Sequence, residues 1–250
     1  MRQGSHRTGL FRVLGAPVGA SKLPGKRFIR IAKSLGLPST SSGRDITQAI
    51  NQAKRLLPIP PAEFKTGPVK YFNIAGEDIN LKSLPIPMLH EADGGRYLQT
   101  FGMFIVQSPD GVHRAHSQHV AGKGEDMPFA LCFELPPAAI MVSGMPIPKG
   151  VNESGFVGAM IGKPVEVTRC ETSEIRIPRD AELVLEGLVS VTETADEGPF
   201  VEYHGHAFQC VPKPAPVFRV DAITYRKDPI LPICVTGRAT EESETVWALT

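Results

Sequence analysis

From Val69 onward, the chain is divided into short apolar runs separated by glycine and proline. Runs such as VEVTRC and EIRIP alternate apolar and polar residues, which is the period of a half-buried strand. Turn-forming pairs such as Asp110-Gly111, Pro136-Pro137 and Gly198-Pro199 stand between the runs. The runs recur roughly every 8–15 residues, a spacing typical of sandwiches and barrels. This pattern predicts many short strands rather than a bundle of long helices.

The predicted strands all lie in this second part of the chain. They are YFNIAG, YLQTFGMFIVQ, FALCFEL, AAIMVSG, VEVTRC, EIRIP, ELVLEGLVS and FRVDAITYR.

Helical spacing of apolar residues appears mainly before residue 66. Residues 25–37 form one predicted helix, and the run VNESGFVGAMIG predicts a short helix between strands. Another predicted helix runs through ITQAINQAKRLL, with Ser42 or Asp45 as its N-cap, and Pro58 ends it. The residues expected on the apolar faces of the first and second helices are Phe28, Ile31, Leu35 and Leu37, and Ile46, Ile50, Ala53 and Leu57.

Composition narrows the functional classes. With 250 residues, 42% of them hydrophobic and 21% charged, the chain is typical of a soluble globular protein with one large or two modest domains. A net charge of +1 provides no broad positive field for nucleic acid. No apolar run reaches transmembrane length, and the basic N-terminus lacks a secretory h-region. We therefore expect a cytoplasmic protein with neither a membrane nor a nucleic-acid partner, although an arginine-rich transit peptide is the alternative.

The four cysteines are widely separated and show no CxxC spacing. This pattern predicts buried or half-buried thiols in a reducing compartment rather than a zinc site or a disulfide framework. The chain also lacks GxGxxG, GxxxxGK[ST], GxSxG and HExxH. Those absences argue against a Rossmann dehydrogenase, a P-loop NTPase, a nucleophile-elbow hydrolase and a zincin.

Two acids, Glu197 and Glu202, flank a Gly-Pro turn in the segment EGPFVE. Such a turn can bring both carboxyl groups to one cavity, where repulsion and burial raise the pKa of one of them. A carboxyl group with a raised pKa can donate a proton to carbon near neutral pH. The alternative is a solvated acidic turn with no chemical role.

Two other segments carry groups that bind metals. His113, His116 and His119 recur every three residues, so they form either a metal site on one helical face or an exposed polar loop. Glu153 follows a proline-rich turn at the start of a predicted helix. There it either binds a hard cation or only stabilises the helix N-terminus.

Seven runs of the sequence carry a resemblance to a known family. They are GLFRVLGAP, LLPIPP, TGP, DGGRYLQTFGMFIVQSPDG, MPFALCFELPPAAIMVSGMPIPKGVNESGFVGAMIG, CETSEIRIPRDAELVLEG and EGPFVEYHG. In this order they resemble the UbiD-like decarboxylases, in particular the fungal and bacterial ferulic and cinnamic acid decarboxylases. The resemblance extends over most of Gly9 to Thr240. Short motifs match by chance, but this many in order do not.

The resemblance implies a prenylated flavin mononucleotide whose phosphate is bridged to the protein by a divalent metal, commonly Mn²⁺, with K⁺ nearby. The family's metal-binding histidine follows a glutamine, as His119 follows Gln118, and its metal-binding glutamate matches Glu153. The Ser-Met-Pro segment that lines the flavin corresponds to Ser143, Met145 and Pro146.

The resemblance also implies catalytic roles. Glu202 matches the proton donor, and Glu197 matches the acid that pairs with an arginine. The segment between Gly111 and Gln118 is shorter than in the family, so Arg114 is the candidate for that arginine, and the family's asparagine metal ligand has no match. A second shortening follows His119.

We predict an α+β fold. It has a mixed α/β part at residues 1–95, a split β-barrel flavin-binding domain at 96–240, and at 241–250 the start of a C-terminal domain that is missing here. In the family that domain supplies a lysine near the flavin phosphate and much of the homodimer contact. The predicted reaction is non-oxidative decarboxylation of an aromatic α,β-unsaturated acid to a vinyl product, with a flavin prenyltransferase supplying the cofactor. The alternatives are a non-catalytic fragment and a flavin-binding module with another role.

Overall fold

The computed structural model describes residues 11–107, 113–114, 125–145, 152–200, 212–235 and 249. Its helices are α1 (Ile29–Ser34), α2 (Gly43–Ala53), α3 (Pro137–Ser143) and α4 (Glu153–Ile161). Its strands are β1 (Arg12–Gly15), β2 (Ala62–Glu63), β3 (Phe72–Ala75), β4 (Gly102–Gln107), β5 (His113–Arg114), β6 (Met127–Phe133), β7 (Glu166–Arg169), β8 (Arg176–Pro178), β9 (Leu183–Glu197), β10 (Lys213–Tyr225) and β11 (Ile230–Ile233).

The largest sheet is antiparallel, with the strand order β3-β10-β9-β6-β4-β5. Its β9 and β10 are long and pair over most of their length, with two irregularities in register on β10. The end of β9 from Thr192 to Glu197 is exposed, so this part of the ribbon extends beyond the core. Over the described residues the sheet is open, because β3 and β5 are its end strands.

Two smaller sheets complete the described strands. In one, β1 pairs with β11 in parallel, and in the other β7 pairs with β2 in parallel and with β8 in antiparallel fashion. The helices α3 and α4 pack in one apolar cluster with the β2-β7-β8 sheet. Val165, just before β7, and Ile177, in β8, belong to this cluster. A second cluster, which includes Phe129 and Phe133, lies on the opposite face of the large sheet.

Seven of the eight predicted strands are confirmed, and AAIMVSG is wrong because it forms α3. A short continuous apolar run does not distinguish a buried strand from a buried helix. Pro137 stands in the first turn of α3, where its fixed φ favours helix initiation. Ala138, Met141 and Val142 are all buried, so the helix needs no polar face.

The helix α2 confirms the predicted cap. The Oγ of Ser42 accepts a hydrogen bond from the Asp45 amide at 3.3 Å, and the Ser42 amide donates to Asp45 Oδ2 at 2.7 Å. Ile46, Ile50 and Ala53 are buried as predicted. The expectation for Leu57 is wrong, since α2 ends at Ala53 and Leu57 is 88% exposed in the turn before Pro58. The predicted helices at α1 and α4 are also confirmed, α1 over a shorter range.

Three of the cysteines, Cys132, Cys170 and Cys234, are buried free thiols as predicted, and Cys210 lies outside the described residues. Burial raises the pKa of the Cys132 and Cys170 thiols, so both stay protonated at neutral pH. Among the described helices, none has the length and apolar character needed to cross a membrane.

Candidate active site

A cavity of ≈ 100 Å³ lies between α3, α4 and the small β2-β7-β8 sheet. Most of its wall is apolar, formed by residues such as Met103, Ile105, Leu135, Ala139, Val142, Val157, Val165 and Val167. Its polar groups are Ser143, Asn152, Glu153, Ser154 and Arg176. An apolar cavity with a few convergent polar groups is the usual form of a small-molecule site.

Two of the residues predicted to bind the cofactor, Ser143 and Glu153, lie on the wall of this cavity. Ser143 is the last residue of α3, and its Oγ donates to the Ile140 carbonyl at 2.7 Å. Glu153 is the first residue of α4, directly after the N-cap Asn152, whose Oδ1 accepts from the Ser154 amide at 2.9 Å. The packing of α3 on α4 therefore brings together two side chains that are ten residues apart in sequence.

Arg176 also lines this cavity, and no motif in the sequence indicated it. Its Nε donates to Glu63 Oε2 at 2.7 Å, and Arg169 Nε donates to Glu63 Oε1 at 2.7 Å. These two hydrogen bonds lower the pKa of Glu63, and the bond from Arg169 has the larger effect. The three residues come from β8, β2 and β7, so no local sequence signal predicts their contact.

The other predicted site residues are only partly described. Glu197 is the exposed last residue of β9, in register with Lys213 and followed by a cis peptide bond between Gly198 and Pro199. Arg114 lies in β5 opposite Val106. Met145 is 8% exposed in the apolar cluster around α3. Gln118, His119, Pro146 and Glu202 lie outside the described residues.

Of the three histidines predicted as a possible metal site, only His113 lies within the described residues. His113 lies in β5, a strand, so a shared helical face does not begin at this residue. His116 and His119 lie outside the described residues. Within the ranges that are described, no group of three or more His, Cys, Asp or Glu side chains has the arrangement of a metal site.

The wall of the cavity offers apolar and oxygen-bearing side chains, but its volume of ≈ 100 Å³ is below the roughly 300–1,000 Å³ of ligand pockets, so by itself it does not hold a whole flavin. A flat ring system needs apolar walls, and these are supplied by α3, α4 and β4. A divalent cation that bridges to phosphate prefers oxygen ligands, and the side chains of Asn152 and Glu153 stand at the start of α4. The partial positive charge at the N-terminus of α4 favours the negative charge of the Glu153 carboxylate.

A family model adds the deciding observation. The model described as UbiD, 3-octaprenyl-4-hydroxybenzoate carboxy-lyase Rift-related domain, matches residues 62–117 and 111–239. The chain belongs to the UbiD family. The two matched segments overlap at residues 111–117, where the sequence analysis places the first shortening relative to other UbiD proteins.

Curated relatives within the UbiD family are decarboxylases. The chain is 42% identical over 262 aligned positions to the pyrrole-2-carboxylic acid decarboxylase of Pseudomonas aeruginosa, covering 94% of the chain and 53% of the relative. It is 39% identical over 267 positions to ferulic acid decarboxylase 1 of Saccharomyces cerevisiae, covering 95% and 53%. The chain thus spans about half the length of the curated UbiD relatives it matches.

Solved UbiD-class structures confirm the predicted fold class. An evolved dimeric form of HmfF from Pelotomaculum thermopropionicum, in complex with prFMN, matches with a TM-score of 0.77 at 26% identity, covering 88% of this chain and 56% of that one. The closed form of vanillic acid decarboxylase from Sedimentibacter hydroxybenzoicus matches with a TM-score of 0.83 at 24% identity, covering 95% and 55%. The mixed α/β fold, whose main sheet is open over the described residues, is therefore the UbiD-class fold.

Proposed function

We propose that this chain carries the flavin-binding part of a carboxy-lyase that decarboxylates aromatic α,β-unsaturated acids of the cinnamic or ferulic type to vinyl products. The observation that carries the proposal is the cavity shared by Ser143 and Glu153, in a chain of the UbiD family. The named relatives act on carboxylic acids attached to unsaturated or aromatic carbon, which agrees with this substrate class.

Prenylated FMN, when bound, would supply an acceptor for the electron pair that remains on carbon as carbon dioxide departs. The chain's own residues would supply the proton. Glu202 donates it to the carbon that carried the carboxylate, so one C–C bond breaks and one C–H bond forms. Glu197 and Arg114 form an ion-pair network that sets the charge around Glu202.

Cofactor binding falls to residues that follow the shortened segment between Gly111 and Gln118. Ser143, Met145 and Pro146 line the flavin, while Glu153 and His119, oriented with Gln118, would hold Mn²⁺ or another divalent cation against the phosphate. A K⁺ ion nearby would share the charge. Offsetting phosphate charge with a fixed cation holds the cofactor in one position.

Assembly and location remain predictions. We infer a flavin prenyltransferase as the cofactor supplier, a small aromatic acid as the substrate, and homodimer formation as in the family. The domain limits at residues 95 and 240 and the cytoplasmic location belong to the same proposal.

The test uses the chain co-expressed with a flavin prenyltransferase, followed by absorbance spectra and styrene formation from cinnamic acid. We expect bound cofactor and turnover, loss of turnover in Glu202→Gln with cofactor retained, and slower turnover in Glu197→Gln. Gln keeps the shape of Glu but has no acidic proton to transfer. The exposed Glu77→Gln is the matched control and should behave as the unmutated chain.

Each rival function has its own outcome. Bound flavin without styrene formation in the unmutated chain would support a flavin-binding module with another role. Absence of bound flavin would support a non-catalytic fragment. Near-normal turnover in Glu202→Gln would show that another group supplies the proton.

A further inference from the structure

The segment Asp93–Tyr97 contacts the turn that follows Glu197. The Gly94 amide donates to the Pro199 carbonyl at 2.7 Å, and Tyr97 Oη donates to the same oxygen at 3.2 Å. Two donors on one carbonyl fix both the position and the direction of that peptide group. The DGGRY run, which carried part of the family resemblance, thus meets the EGPF run more than a hundred residues later.

Side-chain packing reinforces these hydrogen bonds. The rings of Tyr97 and Phe200 meet edge to face, with their centroids 5.4 Å apart. Edge-to-face pairs add to stability beyond the area they bury. The turn is therefore held on its backbone by Gly94 and Tyr97, and on its side-chain face by the Tyr97 ring.

Gly94 is needed because the two segments approach so closely. A Cβ at this position would lie 2.7 Å from Pro199 Cδ and would also clash with the Gly198 carbonyl oxygen. The next residue, Gly95, has open space where its Cβ would stand, with no atom within 4 Å. The two adjacent glycines thus differ in their contact with the turn.

The segment itself is held in place at its start. Asp93 is 7% exposed, and its Oδ2 accepts from the His90 amide at 3.0 Å and lies 3.4 Å from His90 Nδ1. The Asp93 amide in turn donates to the His90 carbonyl at 3.2 Å. This closed turn gives Gly94 and Tyr97 a fixed base.

The Tyr97 hydroxyl is protonated at neutral pH and can therefore act as a donor. Burial raises the pKa of the Tyr97 hydroxyl, and the carboxylates of Glu197 and Asp93 add to the rise, while a backbone hydrogen bond at Gly198 opposes it. A hydroxyl with a raised pKa stays protonated at neutral pH and can donate to Pro199.

We propose that Gly94 and Tyr97 together hold the turn at Glu197–Phe200 in place, and we call this pair the seat of the turn. Tyr97 is then a positioning residue for Glu197 in the decarboxylation. The need for such a seat follows from the fold, because the end of β9 leaves the core and its last six residues, Thr192 to Glu197, are exposed. An exposed ribbon end does not by itself hold a carboxyl group to the tolerance that proton chemistry requires. This inference rests on the proposed function.

The test compares Tyr97→Phe and Gly94→Ala with the matched control Gly95→Ala, each in the full chain loaded with cofactor. Tyr97→Phe keeps the ring against Phe200, so its melting temperature and cofactor content should match the unmutated chain. We expect its kcat to fall about tenfold with KM within about twofold, and the kcat of Gly94→Ala to fall about a hundredfold. Gly95→Ala should keep the original kcat. An unchanged kcat in Tyr97→Phe would contradict the proposed role of the seat. A loss of kcat in Gly95→Ala equal to that in Gly94→Ala would contradict it as well.

A second measurement separates the seat from the proposed function. Amide hydrogen exchange at Gly94 reports the bond to Pro199 and needs neither cofactor nor turnover. We expect exchange about tenfold faster in Tyr97→Phe than in Gly95→Ala, because loss of the second donor loosens the turn. Equal exchange rates would refute the seat even in an active enzyme. If the unmutated chain forms no styrene, the proposed function fails, and faster exchange in Tyr97→Phe would still support the seat.

Discussion

At the scale of single residues, Glu186 is the most unusual buried group of the described chain. It is fully buried in β9, its Oε2 accepts from the amides of Glu171 at 2.6 Å and Thr172 at 3.0 Å, and its Oε1 has no partner among the described residues. Burial raises the pKa of Glu186, and the two amide hydrogen bonds only partly oppose this rise. A buried carboxyl with one unpaired oxygen is costly when ionised.

This raised pKa predicts a pH dependence of stability. Between the ordinary carboxyl pKa and the raised value, the folded state binds a proton at Glu186 that the unfolded state has lost, so stability falls as pH rises through that window. Glu186→Gln removes the titration. We expect the stability of Glu186→Gln relative to the unmutated chain to increase as the pH rises above the ordinary carboxyl pKa, because only the unmutated chain loses stability through this titration.

The measurement is thermal unfolding at a series of pH values. The exposed Glu77→Gln controls for the general loss of a negative charge. A difference between Glu186→Gln and the unmutated chain that stays constant with pH would contradict the assignment.

Glu153 gives a prediction about metal binding. If Glu153 is a ligand of the divalent cation, Glu153→Ala should lower Mn²⁺ affinity at least about tenfold and lower flavin content, because one of few anionic ligands is lost. The fold should remain, since Asn152 still caps α4. Calorimetric titration of Mn²⁺ with flavin present measures this, and Glu77→Ala is the control. Equal affinity in Glu153→Ala and the unmutated chain would remove Glu153 from the metal site.

At the scale of elements, the start of α2 is a capping box that can be tested directly. The hydrogen bond from the Ser42 amide is the main cause of a lowered pKa at Asp45, followed by the Ser42 hydroxyl. Ser42→Ala removes the acceptor for the Asp45 amide, so we expect a loss of about 1 kcal/mol, or about 2–4 °C in Tm. Urea unfolding measures the change. Ser41→Ala, one residue earlier, is the matched control and should stay within about 0.5 kcal/mol. Equal losses in the two variants would show that the cap contributes nothing.

At the scale of the whole molecule, several large apolar side chains are exposed. Leu57 is 88% exposed, Tyr71 61%, Leu56 57%, Leu23 57% and Met88 55%. Leu56 and Leu57 are neighbours in the chain, and adjacent exposed apolar side chains promote association. We therefore expect the chain expressed by itself to be poorly soluble or to form mixed oligomers.

The variant Leu56→Lys with Leu57→Lys tests that expectation. It should raise the monomer fraction about twofold or more in size-exclusion chromatography, because it replaces two exposed apolar groups by charges. Gln52→Lys adds a charge to an exposed position of α2 without removing an apolar group, so it should leave the elution profile unchanged. Sharp monomer elution of the unmutated chain with a cooperative melt would contradict the prediction.

The sequence by itself determined the features that depend on neighbouring residues. Period-two alternation predicted β7 and β8, and Ser42, one of two candidate N-caps, predicted the start of α2, because strand alternation and helix capping act over a few residues. The order of short motifs indicated the family, which the family model confirms. The same motifs indicated Ser143 and Glu153 as site residues, and both line one cavity.

Only the tertiary structure decided the features that depend on residues far apart in the chain. The run AAIMV is apolar throughout, so its helical form depends on burial on nearly all sides. Arg176, which lines the cavity, donates a hydrogen bond to Glu63, which lies 113 residues earlier. Tyr97 meets Pro199 across 102 residues. Such contacts are decided by how the sheets and helices pack together, because a hydrogen bond or a close glycine contact requires the partner to be within a few ångströms, and sequence patterns report only near neighbours.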